Sequence, residues 1–171
     1  EKIAPIYETE IFDVLKNDKK GHIVKAIESF ASNKKSIIDI GCAVGKWIPV
    51  LSPLFKQVHA IDISSKNLQI AENKYSALKN ISYERVDMSA KTLTSKTFDA
   101  AICINAILTS DLKKRNLFFK HMASFLQAKG DLVLVVPSLE SKLLSHIIAN
   151  KYNVDDAKDD KAPTGKRAID Q

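Results

Sequence analysis

Cysteine is scarce in this 171-residue chain, with Cys42 and Cys103 the only two. Two cysteines make no disulfide framework and no metal-ligand cluster. The four histidines, His22, His59, His121 and His146, lack metal-ligand spacing and have no linked Ser or Asp pattern. A reducing, cytoplasmic setting is the expectation. No apolar run approaches the roughly 18–20 residues that span a bilayer. The most apolar stretch, Ala100–Leu108, is interrupted by Asn105. The opening residues Glu1–Pro5 do not read as a signal peptide, and without an initiator Met the chain is expected to begin inside a longer product. Arginine is also rare. The net charge is +6, yet only Arg85, Arg115 and Arg167 are arginines, and the lysines are scattered rather than interleaved with aromatics. Arginine is the side chain favoured for bidentate phosphate and base contacts, so nucleic-acid binding is disfavoured.

What remains is ordinary globular composition, 45% hydrophobic and 27% charged. From Ser36 onward, short apolar runs alternate with amphipathic segments. Strands are expected at Ser36–Ile40, Gln57–Ile63, Ile81–Met88, Thr97–Asn105 and Asp131–Pro137. Several are almost continuously apolar, as strands covered on both faces should be. Helices are expected at Ile6–Leu15 and His22–Ser32. Another is capped by Ser64 or Ser65, with Leu68, Ala71, Tyr75 and Leu78 on its inner face. The next is capped by Asp111 and ended by Gly130, with Leu112, Phe118, Phe119, Met122, Phe125 and Leu126 inward. A last one opens at Ser138. The alternation predicts an α/β fold: a three-layer αβα, doubly wound, mostly parallel sheet. Three segments are expected: a helical segment at 1–33 packing on the core, a core at 34–152, and a polar tail at 153–171. Ligands of such sheets sit beyond the carboxyl ends of the strands.

Directly after the first strand stands Asp39-Ile40-Gly41-Cys42-Ala43-Val44-Gly45-Lys46-Trp47. Gly41 and Gly45 allow a tight turn and close approach to a ligand, and Pro49 suits the first turn of a following helix. A Walker A loop needs four residues between its glycines and then Gly-Lys-Ser/Thr; only three separate Gly41 from Gly45, and Trp47 follows Lys46. The dinucleotide fingerprint Gly-x-Gly-x-x-Gly fails because Ala43 and Lys46 occupy its later positions.

The remaining pattern, acid-x-Gly-x-small-x-Gly, resembles the first motif of class I, Rossmann-like S-adenosylmethionine (SAM)-dependent methyltransferases. That family often has Gly where Ala43 stands. The resemblance runs from about His22 to about Ile148: the loop, an acid ending the second strand, an Asp after the third, an aromatic-Asp fourth strand and a Gly–strand–Pro fifth. It implies SAM as cofactor and S-adenosylhomocysteine as product. Gly41, Ala43 and Gly45 would pack beside the methionine and ribose, with Cys42 and Trp47 in the same loop counted among the cofactor residues. Asp39 would organise the loop and the methionine amino end. Asp62 would accept hydrogen bonds from both ribose hydroxyls. Ile63 would pack on adenine, Asp87 would accept from the adenine amino group with Met88 nearby, and Asn105 would meet the methionine amino group.

The same resemblance implies methyl transfer to an O, N, S or C nucleophile. The nucleobase-amino clamp Asp/Asn-Pro-Pro-aromatic is absent, since Asn105 is followed by Ala106-Ile107-Leu108. Cys103 lies in an apolar strand rather than a Pro-Cys context and reads as a small buried hydrophobe. A small-molecule acceptor is therefore the leading expectation, and no residue stands out as catalytic. Two other readings stand beside it: a non-catalytic scaffold module of the same fold and, less favoured, an NAD-linked oxidoreductase. The family's C-terminal antiparallel hairpin has no counterpart before Gln171. Its lack would leave a sheet edge at Asp131–Pro137, to be covered by the tail, a dimer or a partner chain, or an absent region.

Overall fold

The computed structural model describes residues 13–90, 96–107 and 109–140. Most of the helix expected at Ile6–Leu15, most of the one opening at Ser138 and the whole 153–171 tail lie outside these residues. The described residues through Val136 form one compact unit, to which Pro137–Glu140 do not belong. The element order in this unit is α1 (Val14–Asn17), α2 (His22–Glu28), β1 (Ser36–Ile40), α3 (Ile48–Leu51), β2 (Gln57–Asp62), α4 (Ser65–Lys74), β3 (Ile81–Arg85), β4 (Phe98–Ile104), α5 (Leu112–Ser124) and β5 (Leu126–Val135).

Among the described residues the five strands form one sheet in the order β3-β2-β1-β4-β5, with every pairing parallel. The chain moves outward from β1 to β3, then returns to the other side of β1 for β4. This reversal puts the topological switch point between β1 and β4, where such sheets open a crevice at their carboxyl ends. β1, β2 and β4 are largely apolar on both faces because both are covered. Ile38, Ile40, Ile61, Ala101 and Cys103 face Met122 of α5 and the adjoining Phe125. Ile37, Val58, Ala100 and Ile102 face Ile27 of α2, together with Trp47, Leu51 and Phe55. Val14, Leu15, Ile23 and Val24 pack against this second cluster, so the described part of the N-terminal segment lies on the core.

Several boundaries differ from the sequence expectation. α2 begins where the Asp18 carboxylate accepts from the His22 and Ile23 amides at 2.9 and 2.8 Å, and it ends at Glu28 rather than Ser32. β3 stops at Arg85, leaving Asp87 and Met88 in the following loop. Leu78 lies beyond the end of α4 and is exposed, as are Leu112 and Phe119 of α5. Leu112 directly follows the Asp111 cap, in the first turn of the helix.

The largest correction concerns Gly130. α5 ends at Ser124, and Gly130 lies inside β5. Lys129, not Gly130, adopts the left-handed conformation, at φ +66°. The register with β4 passes from Phe98↔Leu126 to Ala100↔Asp131, so the extra β5 residues bulge out of the pairing. A Cβ at Gly130 would lie 3.1 Å from the Asp99 and Gln127 carbonyl oxygens. The glycine therefore answers close backbone packing at a bulge rather than a helix end.

β5 is an edge strand among the described residues. Its Leu132 and Leu134, and Val136 just beyond it, are exposed. Among the described residues no helix is long and apolar enough to cross a membrane, and no His/Cys/Asp/Glu group is arranged to hold a metal.

Candidate cofactor site

The loop after β1 is bent over the end of β2. The Gly41 and Cys42 amides both donate to the Ile61 carbonyl, at 2.8 and 2.9 Å, and Gly45 donates to Cys42 at 2.8 Å. Three residues of the loop are left-handed: Gly41 (φ +76°), Ala43 (φ +48°) and Gly45 (φ +78°). The two glycines serve different ends. A Cβ on Gly41, which lines the cavity described below, would collide with the Ala106 side chain. A Cβ on Gly45 would press into Ile48 and Tyr75 at 2.7 and 2.9 Å, so Gly45 seats the loop against α3 and lies close to the end of α4. Cys42 joins that packing with Ile48, Ala60, Leu68 and Ala71.

Ala43 pays a conformational cost that a glycine would not. A left-handed alanine is strained by roughly 1 kcal/mol. It is held there because its amide donates to Asp62 Oδ2 at 2.9 Å. Ala43→Gly is expected to change stability by less than about 1 kcal/mol in either direction, because relief of strain offsets the greater freedom of the unfolded chain. Chemical denaturation checks this; a loss above about 2 kcal/mol would show that the methyl group itself is needed for packing.

Asp62 closes the arrangement. It ends β2, with Oδ2 on the Ala43 amide and Oδ1 accepting from the Ser64 amide at 2.8 Å. Ser64 in turn caps α4 by accepting from the Asn67 amide. One carboxylate thus joins the glycine loop to the start of α4, while each oxygen keeps a further lone pair for a ligand.

Against this junction lies a cavity of about 430 Å³, within the usual range for small-ligand sites. Gly41, Ala43, Asp62, Ile63, Met88 and Asn105 line it. Ile63 is 55% exposed, an apolar side chain presented at the wall. Asn105 follows β4 with φ +53°, its amide held by the Val135 carbonyl at 2.9 Å. Met88 is buried, and its carbonyl meets His121 Nδ1 at 3.0 Å.

Five expected residues do not line the cavity. Trp47 is packed in the core among Ile27, Ile37, Leu51 and Phe55, because the chain turns into α3 immediately after it. Cys42 and Gly45 face α3 and α4 as described. Asp87 is exposed beside the cavity; hydrogen bonds from the Ser89 hydroxyl (2.7 Å) and amide (2.8 Å) hold its carboxyl below the ordinary value. Asp39 lies buried in β1, and its Oδ2 has no hydrogen-bond partner among the described residues. Burial, and secondarily the Asp62 carboxylate, push it up to about 7. Conversely, the cavity is also lined by Asn67, Val86, Ala106 and Phe118, none of which sequence patterning assigned to the cofactor, Phe118 being expected only as an inward helix residue. Their apolar or helical character reads as core, and only the crevice reveals which of them reach it.

A switch-point crevice lined by a glycine loop, with a carboxylate at the end of the second strand, is the ligand-site arrangement of a Rossmann-like doubly wound sheet. The sequence profile of the family described as "Methyltransferase domain" matches residues 37–130. A probable S-adenosylmethionine-dependent methyltransferase, CRG1 of Saccharomyces cerevisiae, is 32% identical over 103 residues, covering 57% of this chain and 34% of the yeast protein. The phosphoethanolamine N-methyltransferase of Plasmodium falciparum is 26% identical over 112 residues, 64% of this chain and 42% of that one. The chain therefore spans well under half the length of these curated relatives. Among solved structures, the DhpI–SAM–HEP complex superposes with TM-score 0.66 at 18% identity, over 95% of this chain and 68% of that one. The N-methyltransferase NodS of Bradyrhizobium japonicum superposes at 0.64 and 19% identity, over 77% and 74%. The chain belongs to the methyltransferase domain family, of the class I, SAM-dependent kind.

Proposed function

We propose that this chain binds SAM in the cavity beneath Gly41 and transfers its methyl group to a small-molecule nucleophile. The carrying observation is Asp62: a carboxylate fixed by the Ala43 and Ser64 amides at the wall of a cavity of about 430 Å³. Such an acceptor-only group suits a vicinal diol. The Asn67 side-chain oxygen, buried without a hydrogen-bond partner among the described residues on a residue that lines the cavity, also fits a donor-rich cofactor. In this reading Asp62 holds the ribose, Ile63 and Met88 flank the adenine, and Asp87 at the rim receives its amino group. Asp39 and Asn105 serve the methionine end.

SAM, when bound, supplies an electrophilic methyl group. The protein's part is to orient both partners and exclude water. Ala106, Ile107 and Phe118 provide an apolar wall for this. Asp62 is the one titratable side chain among the described lining residues, and both its oxygens are engaged. A nucleophile that needs no protein base is accordingly favoured. The N-methyltransferases among the relatives support nitrogen, and the small-molecule acceptor named for the Plasmodium relative supports a small substrate.

The scaffold reading draws on the exposed Leu132 and Leu134 at the β5 edge. We propose that a second chain covers this edge, which light scattering of the purified protein would reveal as a dimer or complex; a monomer would remove the idea. For the main reading, S-adenosylhomocysteine is expected to bind at micromolar or lower concentration in calorimetry, and NAD not to bind. A folded sample giving heat with NAD but none with S-adenosylhomocysteine would overturn it.

A further inference from the structure

Asn67 stands out once the hydrogen bonds around the cavity are assigned. It is the third residue of α4, and only 9% of it is exposed. Its amide is used by the Ser64 cap, at 3.3 Å. Its side-chain Oδ1 is buried with no hydrogen-bond partner among the described residues. Buried amide oxygens are almost always paired, and an unpaired one costs roughly 1–3 kcal/mol. An asparagine in the first turn of a helix also gains nothing in propensity that would offset that cost. The residue lines the same cavity as Asp62 and Ile63.

We infer that the Asn67 carboxamide is a ligand-reading group, completed by the nucleoside part of the cofactor. This rests on the proposed SAM reading and adds a residue to it. Asp62 accepts only, and its two oxygens are already shared with backbone amides. A carboxamide carries an acceptor and two donors. It can therefore answer a ribose hydroxyl, or the edge of the base, in ways the carboxylate cannot. Asn67 and Asp62 stand on either side of the Ser64 cap, so the β2–α4 junction that orients one orients the other. A leucine or alanine here would suit the packing of α4 better. The polar group is kept at a cost to the free protein and repaid when ligand binds.

Calorimetric titration of wild type and Asn67→Ala with S-adenosylhomocysteine and with 5′-methylthioadenosine tests this, with thermal melting of the free proteins alongside. The second ligand keeps the nucleoside and lacks the amino acid. Asn67→Ala is expected to weaken both ligands by about tenfold, the worth of one hydrogen bond in a dry site. The free variant should melt no lower than wild type. Unchanged affinity, a loss confined to S-adenosylhomocysteine, or a free variant that melts clearly lower or fails to fold would each overturn the assignment. Wild-type protein that binds neither ligand would overturn the nucleoside reading itself, which separates that failure from this one.

Discussion

Asp39→Asn is expected to raise the melting temperature by about 5–10 °C at pH 8 and to leave it nearly unchanged at pH 4. The Asp39 side chain is buried, its Oδ2 has no partner among the described residues, and Asp62 bears on it electrostatically. Its carboxyl is pushed from 3.8 up to about 7. The sign of the effect follows from proton counting. Below about pH 3.8 the folded and unfolded chains both hold the proton, and Asp39 imposes no charge penalty. Between there and about pH 7 the unfolded chain has released it and the native chain has not, so stability falls as pH rises. Above that window the whole penalty is present, roughly 2–4 kcal/mol for a shift of this size. Asparagine has nearly the same shape and no charge, so it removes the penalty only where the penalty exists. Equal gains at both pH values would assign the effect to packing instead.

Asp62→Ala carries the second large effect: loss of S-adenosylhomocysteine binding by at least about a hundredfold, with lower stability of the free protein. The carboxylate accepts from Ala43 and Ser64 at 2.9 and 2.8 Å, and its loss leaves both amides without their acceptor. Two hydrogen bonds to a charged group are together worth roughly 3 kcal/mol. Ala43 would lose the bond that holds its left-handed conformation, so the loop and the ligand contact fail together. Removing the Asp62 charge also relieves Asp39, which offsets part of the stability loss. Asp62→Asn, which keeps one acceptor, should fall between. Full binding by Asp62→Ala would remove the carboxylate from the site.

The strands were legible because buried parallel strands need no polar face, and Ser36–Ile40 and Gln57–Asp62 appear almost where the apolar runs stand. The caps Ser64 and Asp111 were legible because capping is local chemistry. Gly130 was misread for a related reason. A glycine after an amphipathic run looks like a helix end, and only the pairing of β5 with β4 shows that it answers a bulge. Within the loop, the spacing of Gly41 and Gly45 marks a tight turn but does not say which glycine meets the ligand. Contact with Ala106, some sixty residues away, puts Gly41 at the cavity; contact with Tyr75 gives Gly45 to the packing. Trp47 follows the same rule, since a residue one step past a loop can face either side of the sheet.

The sequence alone determined the class of fold and the order of its motifs, because hydrophobic periodicity, caps and glycine spacing act over a few residues. Only the tertiary structure decided which of those residues meet. Asp62 reaches Ala43 across 19 positions, and Asp39 and Asn67 each bury a side-chain oxygen without a partner among the described residues. Burial and desolvation are properties of the assembled sheet and its crevice, and no local pattern in the chain encodes them.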